Sequence, residues 1–175
     1  VSLITYRNLN RLPALNVFAT VTPTFGVWTP QLSAGLVKQW AEVEIDGRPV
    51  RYYKPIFRVS LNNSLRLPLG LLFTLDARYR STGDERNISM INDVFVVDMG
   101  LTRSFFGDCL SVALRGWDVF CGEKSSYTYR GSRLLYEQYD RFDTREFEIT
   151  LRYKFNAAKS KYKGISAGNR ELERL

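Results

Sequence analysis

The sequence contains no histidine. That absence removes imidazole acid–base catalysis, Ser-His-Asp and Cys-His nucleophiles, and histidine-ligated metals. The two cysteines, Cys109 and Cys121, are too few for a zinc cluster or a disulfide framework. If both lay along one strand they would stand roughly 40 Å apart, beyond any bridge. No stretch reaches the ~18 apolar residues of a transmembrane helix. The opening VSLITYRNLN lacks the basic segment, apolar core and cleavage site of a signal peptide, and it lacks an initiator methionine. It reads as a cut through a longer polypeptide. Gly164, Gly168 and the neighbouring lysines match no phosphate-binding loop. With no close carboxylate pair either, no catalytic constellation emerges. The expectation is a non-enzymatic protein without a cofactor.

What is present is alternation. The 175 residues suffice for one domain or a piece of a larger one. Hydrophobic residues make up 45%, aromatics 14% and charged residues 25%, with a net charge of +7. That charge permits an anionic partner without demanding one. Helical periodicity is scarce and period-2 patterning is plentiful, which predicts an all-β protein. In Glu146–Phe155, Phe147, Ile149, Leu151, Tyr153 and Phe155 share one face, and Glu146, Glu148, Thr150, Arg152 and Lys154 share the other. In Leu71–Arg80, Leu71, Phe73, Leu75, Ala77 and Tyr79 oppose Leu72, Thr74, Asp76, Arg78 and Arg80. Phe57–Leu67 repeats the pattern, and Phe95–Phe105 and Leu110–Gly116 follow it less strictly. Segments at about Asn16–Val27 and Leu32–Glu44 complete a set of seven.

The connections alternate in length. Trp28–Gln31, Pro68–Gly70 and Phe106–Asp108 are short, whereas Ile45–Lys54, Ser81–Asn92 and Cys121–Thr144 are long, polar and charged. Short turns at one end and long loops at the other is the layout of an antiparallel, up-and-down transmembrane β-barrel of the bacterial outer membrane. Such a strand needs ~9–11 residues and only one apolar face, so a slightly negative mean hydropathy is no obstacle. With the short turns in the periplasm, the last strand runs inward, and so does the first. Seven strands cannot close with both ends in the periplasm. Either Ser2–Arg7 adds an eighth strand, or residues 1–156 form the C-terminal part of a larger barrel, the reading favoured here. Residues 157–175 carry Lys159, Lys161, Lys163, Arg170 and Arg174 against Glu171 and Glu173, and read as a basic, partly disordered periplasmic tail.

Several strings then become recognisable: PTFGVWTP (Pro23–Pro30), YKPIFRVSLNNSLRLP (Tyr53–Pro68), WDVF (Trp117–Phe120), LRYKFN (Leu151–Asn156) and the tail KSKYKG with Glu-x-Glu-Arg-Leu. In order and spacing they resemble the C-terminal barrel of the Bacteroidota outer-membrane β-barrel family, a relative of the TonB-dependent receptors. The resemblance implies a barrel of roughly 22 strands with a plug domain in its lumen. It implies transport energised by a TonB complex that contacts a segment upstream of Val1. The implied partners are outer-membrane lipid, that plug, the TonB complex and the barrel-assembly machinery, with no nucleic acid. One residue departs from the pattern: the family usually carries Asn after Asp-x-Phe, and this chain has Cys121.

On that reading Leu71, Phe73, Leu75, Tyr79, Phe147, Ile149, Leu151, Tyr153 and Phe155 face lipid. Tyr79, Trp28, Trp40, Trp117, Tyr153 and Phe155 fall near strand ends, where aromatic girdles lie. Phe155 also ends a strand that resembles the signal read by the assembly machinery. Arg58, Arg66, Asp76, Arg78, Asp98, Arg115, Glu148 and Arg152 face the lumen, where they contact plug or substrate, or simply pair as a ladder between strands. Tyr127, Tyr129, Arg130, Arg133, Tyr136 and Tyr139 form a possible ligand loop, since Tyr and Arg are favoured binding residues; an ordinary exposed loop or strand extensions would look the same. Two other functions fit the pattern. One is a small free-standing outer-membrane barrel with a structural or adhesive role. The other is a soluble lipocalin-like or nucleic-acid-binding barrel with its apolar face inward.

Overall fold

The computed structural model describes residues 11–131, 134–141 and 143–155. Ser2–Arg7, Arg133 and the tail 157–175 lie outside the described residues. The strands in chain order are β1 (Ala14–Val21), β2 (Gln31–Gln39), β3 (Ala41–Ile45), β4 (Arg48–Tyr52), β5 (Ile56–Leu67), β6 (Leu71–Arg80) and β7 (Gly83–Glu85). They continue with β8 (Ile88–Met90), β9 (Val94–Phe105), β10 (Leu110–Trp117), β11 (Lys124–Arg130), β12 (Leu135–Arg141) and β13 (Glu146–Tyr153). Every strand pairing among them is antiparallel.

Seven strands form the main sheet in the order β1-β2-β5-β6-β9-β10-β13, an up-and-down meander. Its turns are tight at one end. Pro68-Leu69-Gly70 closes β5 to β6 with Leu69 and Gly70 at φ 63° and 69°. Phe106, Gly107 and Asp108 reverse the chain before β10, with φ between 54° and 68°. At the other end the long connections carry strands of their own. β3 and β4 make a hairpin through Asp46-Gly47, whose φ values of 51° and 71° suit a tight hairpin turn. A second sheet, β12-β11-β8-β7, is built from the two remaining long connections.

Two boundaries differ from the sequence expectation. The first strand stops at Val21, short of Val27. Pro23 cannot donate to a ladder, and Phe25 and Trp28 exchange backbone bonds of 2.8 and 3.1 Å across a separate tight turn. The second stops at Gln39, because the N–H of Trp40 turns to Pro13 O (2.9 Å) and residues from Ala41 onward pair with β4. The sequence carries a mark of that break: the apolar positions are even through Leu32, Ala34, Leu36 and Trp40 and odd from Ala41 through Val43 and Ile45, a slip of one residue in the alternation. The expected loop Cys121–Thr144 is mostly the strand pair β11–β12, which extends the fold beyond the main sheet. Cys109 and Cys121 are both free, and β10 lies between them.

The buried core is small and sits where the long connections fold onto the main sheet: Ala41, Tyr52, Ile56, Val96 and Val97. Nothing among the described residues covers the rest of the sheet. Phe147, Ile149 and Leu151 are 73%, 72% and 69% exposed. Soluble monomers rarely expose a contiguous apolar surface of this kind, which marks a face that meets a membrane or a partner.

Candidate functional site: two opposed faces of one sheet

Directly paired residues share a face, so the register assigns every side chain. Tyr153, Leu151, Ile149 and Phe147 of β13 stand opposite Leu110, Val112, Leu114 and Gly116 of β10. Those in turn face Phe105, Arg103, Leu101 and Met99 of β9. Leu71, Phe73, Leu75, Ala77 and Tyr79 of β6 continue the face, followed by Leu67, Leu65, Asn63, Leu61, Val59 and Phe57 of β5. Leu32, Ala34, Leu36 and Lys38 of β2 and Val21, Ala19, Val17 and Leu15 of β1 complete it. The strand residues expected to face lipid thus lie on one surface. Phe155 follows the strand, with its ring edge-on to Tyr153 at 4.6 Å.

Only Asn63, Lys38 and Arg103 interrupt that surface with a polar side chain, and each has a partner suited to oil. Lys38 lies one residue from the long-connection end of β2, its ammonium 5.1 Å from the Trp40 ring centroid. Arg103 lies near the short-turn end of β9, its guanidinium 4.7 Å from the Phe105 ring. Both can lay their stems on the apolar surface with the charge toward an interface. The carboxamide oxygen of Asn63 accepts the indole N–H of Trp28.

The opposite face carries all eight residues expected in the lumen. Arg58 and Arg66 come from β5, Asp76 and Arg78 from β6, Asp98 from β9, Arg115 from β10, and Glu148 and Arg152 from β13. They do not form a continuous ion-pair ladder. Arg115 and Glu148 are directly opposed, yet the Glu148 carboxylate accepts the Thr150 hydroxyl. Among the described residues of this face, Arg78 lies 3.7 Å from both Asp98 and Glu123, and Arg58 lies 4.0 Å from Glu85. The structure adds Phe18 and Lys124 to the sequence reading and gives Arg80, already on the polar face by alternation, its neighbour. Arg80 is directly opposite Arg58. Phe18 lies over Gly35 so closely that a Cβ there would come within 2.5 Å of its ring. Lys124 joins them at the long-connection end, where a cavity of about 560 Å³ opens against this face. Arg80 was legible, since it extends the Asp76/Arg78 parity by one step. Phe18 was not, being an aromatic on the polar side.

The expected ligand loop does not converge as one patch. Tyr127, Tyr129 and Tyr136 share a face of the second sheet with Gln138, while Arg130 and Tyr139 lie on the other face. The Tyr127 and Tyr136 hydroxyls both donate to Gln138 Oε1 (2.6 and 2.8 Å), and Gln138 Nε2 donates to Asp140 at 2.8 Å. The Tyr139 hydroxyl donates to Glu137 at 2.9 Å, and this bond, with the carboxylate's charge, holds its pKa above the ordinary tyrosine value.

Asp118, just past β10, ties the long connection to the main sheet. It is 3% exposed, and its N–H donates to Asp98 Oδ1 at 2.8 Å. Its carboxylate accepts the N–H of Gly122 (2.7 Å), the N–H of Glu123 (2.9 Å) and the Thr144 hydroxyl. Burial pushes the pKa up, but these hydrogen bonds and nearby Arg78 outweigh it, leaving the carboxyl below the usual range. The turn requires φ 51° at Cys121, a left-handed conformation in which Asn is several-fold enriched.

No group of metal-ligating side chains occurs among the described residues. Residues 1–153 match the model of a family described as the outer membrane protein beta-barrel family. No curated protein and no solved structure matches the chain.

Proposed function

The chain belongs to the outer membrane protein β-barrel family, and from that premise we propose that it forms wall, lumen lining and long external loops of a TonB-dependent receptor-like transporter. The protein resides in the outer membrane. The observation that carries the reading is the register, which sorts one nearly unbroken apolar surface from one polar, arginine-rich surface across seven strands. In a bilayer the apolar surface meets lipid and the polar one an enclosed interior.

The same sheet argues for a larger barrel. β1 and β13 are at opposite edges and do not pair with each other. A free edge is not tolerated in hydrocarbon, because its N–H and C=O groups would have no partner. On this reading further strands continue the wall on both sides. A barrel of about 22 strands holds a plug, and a plug needs displacement by an energised partner. The short-turn end then faces the periplasm and the second sheet stands outside the cell. The chain works as a conduit rather than an enzyme. Assembly machinery inserts it, lipid surrounds it, and the TonB complex acts on the upstream plug.

The test uses the full polypeptide, expressed in cells with Cys109 and Cys121 changed to Ser. A cysteine at Ser60, on the polar face, should react with a hydrophilic maleimide, and one at Ile149 should not. The purified protein should bind the periplasmic domain of TonB. Equal labelling at both positions removes the barrel orientation. Correct labelling without TonB binding removes the transporter and leaves a barrel of another role.

A further inference from the structure

Cross-strand neighbours of like charge repel, and this sheet places two arginines face to face. Arg58 and Arg80 are a direct pair across β5 and β6, with Arg78 one step away on the same face. All three line the cavity of about 560 Å³ at the long-connection end. Like charges directly opposite one another destabilise a sheet unless something neutralises them. Arg78 is provided for by Asp98 and Glu123, each at 3.7 Å, and Arg58 has Glu85 at 4.0 Å. Arg80 has no carboxylate within 4.0 Å among the described residues. Its Nε and Nη2 are buried and have no hydrogen-bond partner. Buried polar atoms are nearly always paired, and a guanidinium cannot escape by losing its proton. Closed off where they stand, these two nitrogens gain an acceptor when the side chain turns toward the cavity, and there the fork of an arginine matches the two oxygens of an oxyanion.

The remaining walls narrow the ligand. Ser33 and Ser60 line the cavity, as does Glu123, whose charge Arg78 offsets at 3.7 Å, and Phe18, 63% exposed, presents a ring beside them. We propose that this cavity is an anion subsite. It takes the carboxylate or sulfate of a small, hydroxyl-bearing ligand such as an acidic sugar, with Arg80 as its principal partner, Arg58 beside it and Phe18 against the ligand's carbon skeleton. The site rests on the reading of this face as lumen, and it lies at the end where the second sheet stands, the side from which a ligand arrives. An acidic side chain of the plug could supply the same oxyanion, so the test must separate a diffusible ligand from a tethered one.

The experiment titrates the full-length protein in detergent with sodium glucuronate and with sodium sulfate at constant ionic strength, followed by calorimetry, with glucose as the neutral comparison. Both anions should bind saturably and glucose should not. Arg80→Gln should weaken glucuronate binding about tenfold or more, the loss expected for a charge-assisted bidentate contact. Arg152→Gln, on the same face at the other end, should leave it unchanged. If Arg80→Gln loses the heat-modifiable gel shift of a folded barrel, Arg80→Lys is read instead. It keeps the charge and loses the fork, and weakened binding supports the site. Absence of saturable anion binding, equal loss in Arg152→Gln, or unchanged binding in Arg80→Lys overturns it. TonB binding is measured on the same preparation. If it persists while anions fail to bind, the subsite is removed and the transporter reading is left in place.

Discussion

The indole N–H of Trp28 donates to the carboxamide oxygen of Asn63, the one polar side chain on the apolar face that is neither charged nor at a strand end. Trp28 comes from the tight turn before β2, where it also stacks on Phe25 with ring centroids 5.3 Å apart. A turn residue thus reaches back along the sheet to satisfy an amide that would otherwise face oil. Trp28→Phe keeps the stacking and removes the donor. It should destabilise the folded protein in vesicles by about 1–2 kcal/mol in denaturant titrations. Asn63→Leu in the Trp28→Phe background should restore most of the loss. No loss in Trp28→Phe, or no restoration by Asn63→Leu, would mean the pair is incidental.

The carboxylate of Asp118 gives the long connection a pH dependence of defined sign. Its folded pKa is depressed, so the stabilisation it supplies is complete above the unfolded value of about 3.9 and disappears as pH falls through the lower folded value. Hydrogen exchange at the Gly122 and Glu123 amides, corrected for intrinsic rates, should show constant protection from neutral pH down to about 4 and a loss below. Asp118→Asn should lack that step. A wild-type loss already complete at pH 5 would assign it to another group.

The same turn predicts opposite outcomes at adjacent positions. Cys121 holds φ 51°, so Cys121→Asn should leave stability unchanged or raise it by on the order of 0.5 kcal/mol. At Gly122 an added Cβ would sit 1.6 Å from the carbonyl oxygen of Phe95. Gly122→Ala must therefore push the connection off the sheet, costing about 2 kcal/mol or more. Limited proteolysis between Asp118 and Thr144 reads both, with faster cleavage expected only for Gly122→Ala.

Much of this architecture was written in the alternation. Phe147, Ile149 and Leu151 against Glu148, Thr150 and Arg152 gives strand, length and two faces at once, because a pleat separates neighbours by construction. Turn chemistry gave Pro68-Leu69-Gly70 and Phe106-Gly107-Asp108 as readily. The break at Trp40 showed only as a slip in phase, since the apolar residues fall on even positions in β2 and on odd positions at Ala41, Val43 and Ile45, which pair with a different strand. The slip says that the ladder is interrupted; which strand Ala41–Ile45 then pairs with is a tertiary choice. The tyrosines of the second sheet were visible as a cluster, but their division between two faces depends on the β11–β12 register. The pairing of Arg58 with Arg80 likewise depends on how β5 and β6 are aligned, which no single strand contains.

The orientation of the sheet is tested most directly by one pair of adjacent substitutions in β13. Ile149 is on the apolar face and Thr150 on the polar face near mid-strand. Folding of the full-length protein into lipid vesicles is titrated with denaturant for Ile149→Arg and Thr150→Arg. A charge at Ile149 should cost about 2–4 kcal/mol, the penalty for a cation near the bilayer midplane, and one at Thr150 should cost close to nothing. Equal cost at both positions, or a larger cost at Thr150, would contradict the assignment of the apolar face to lipid.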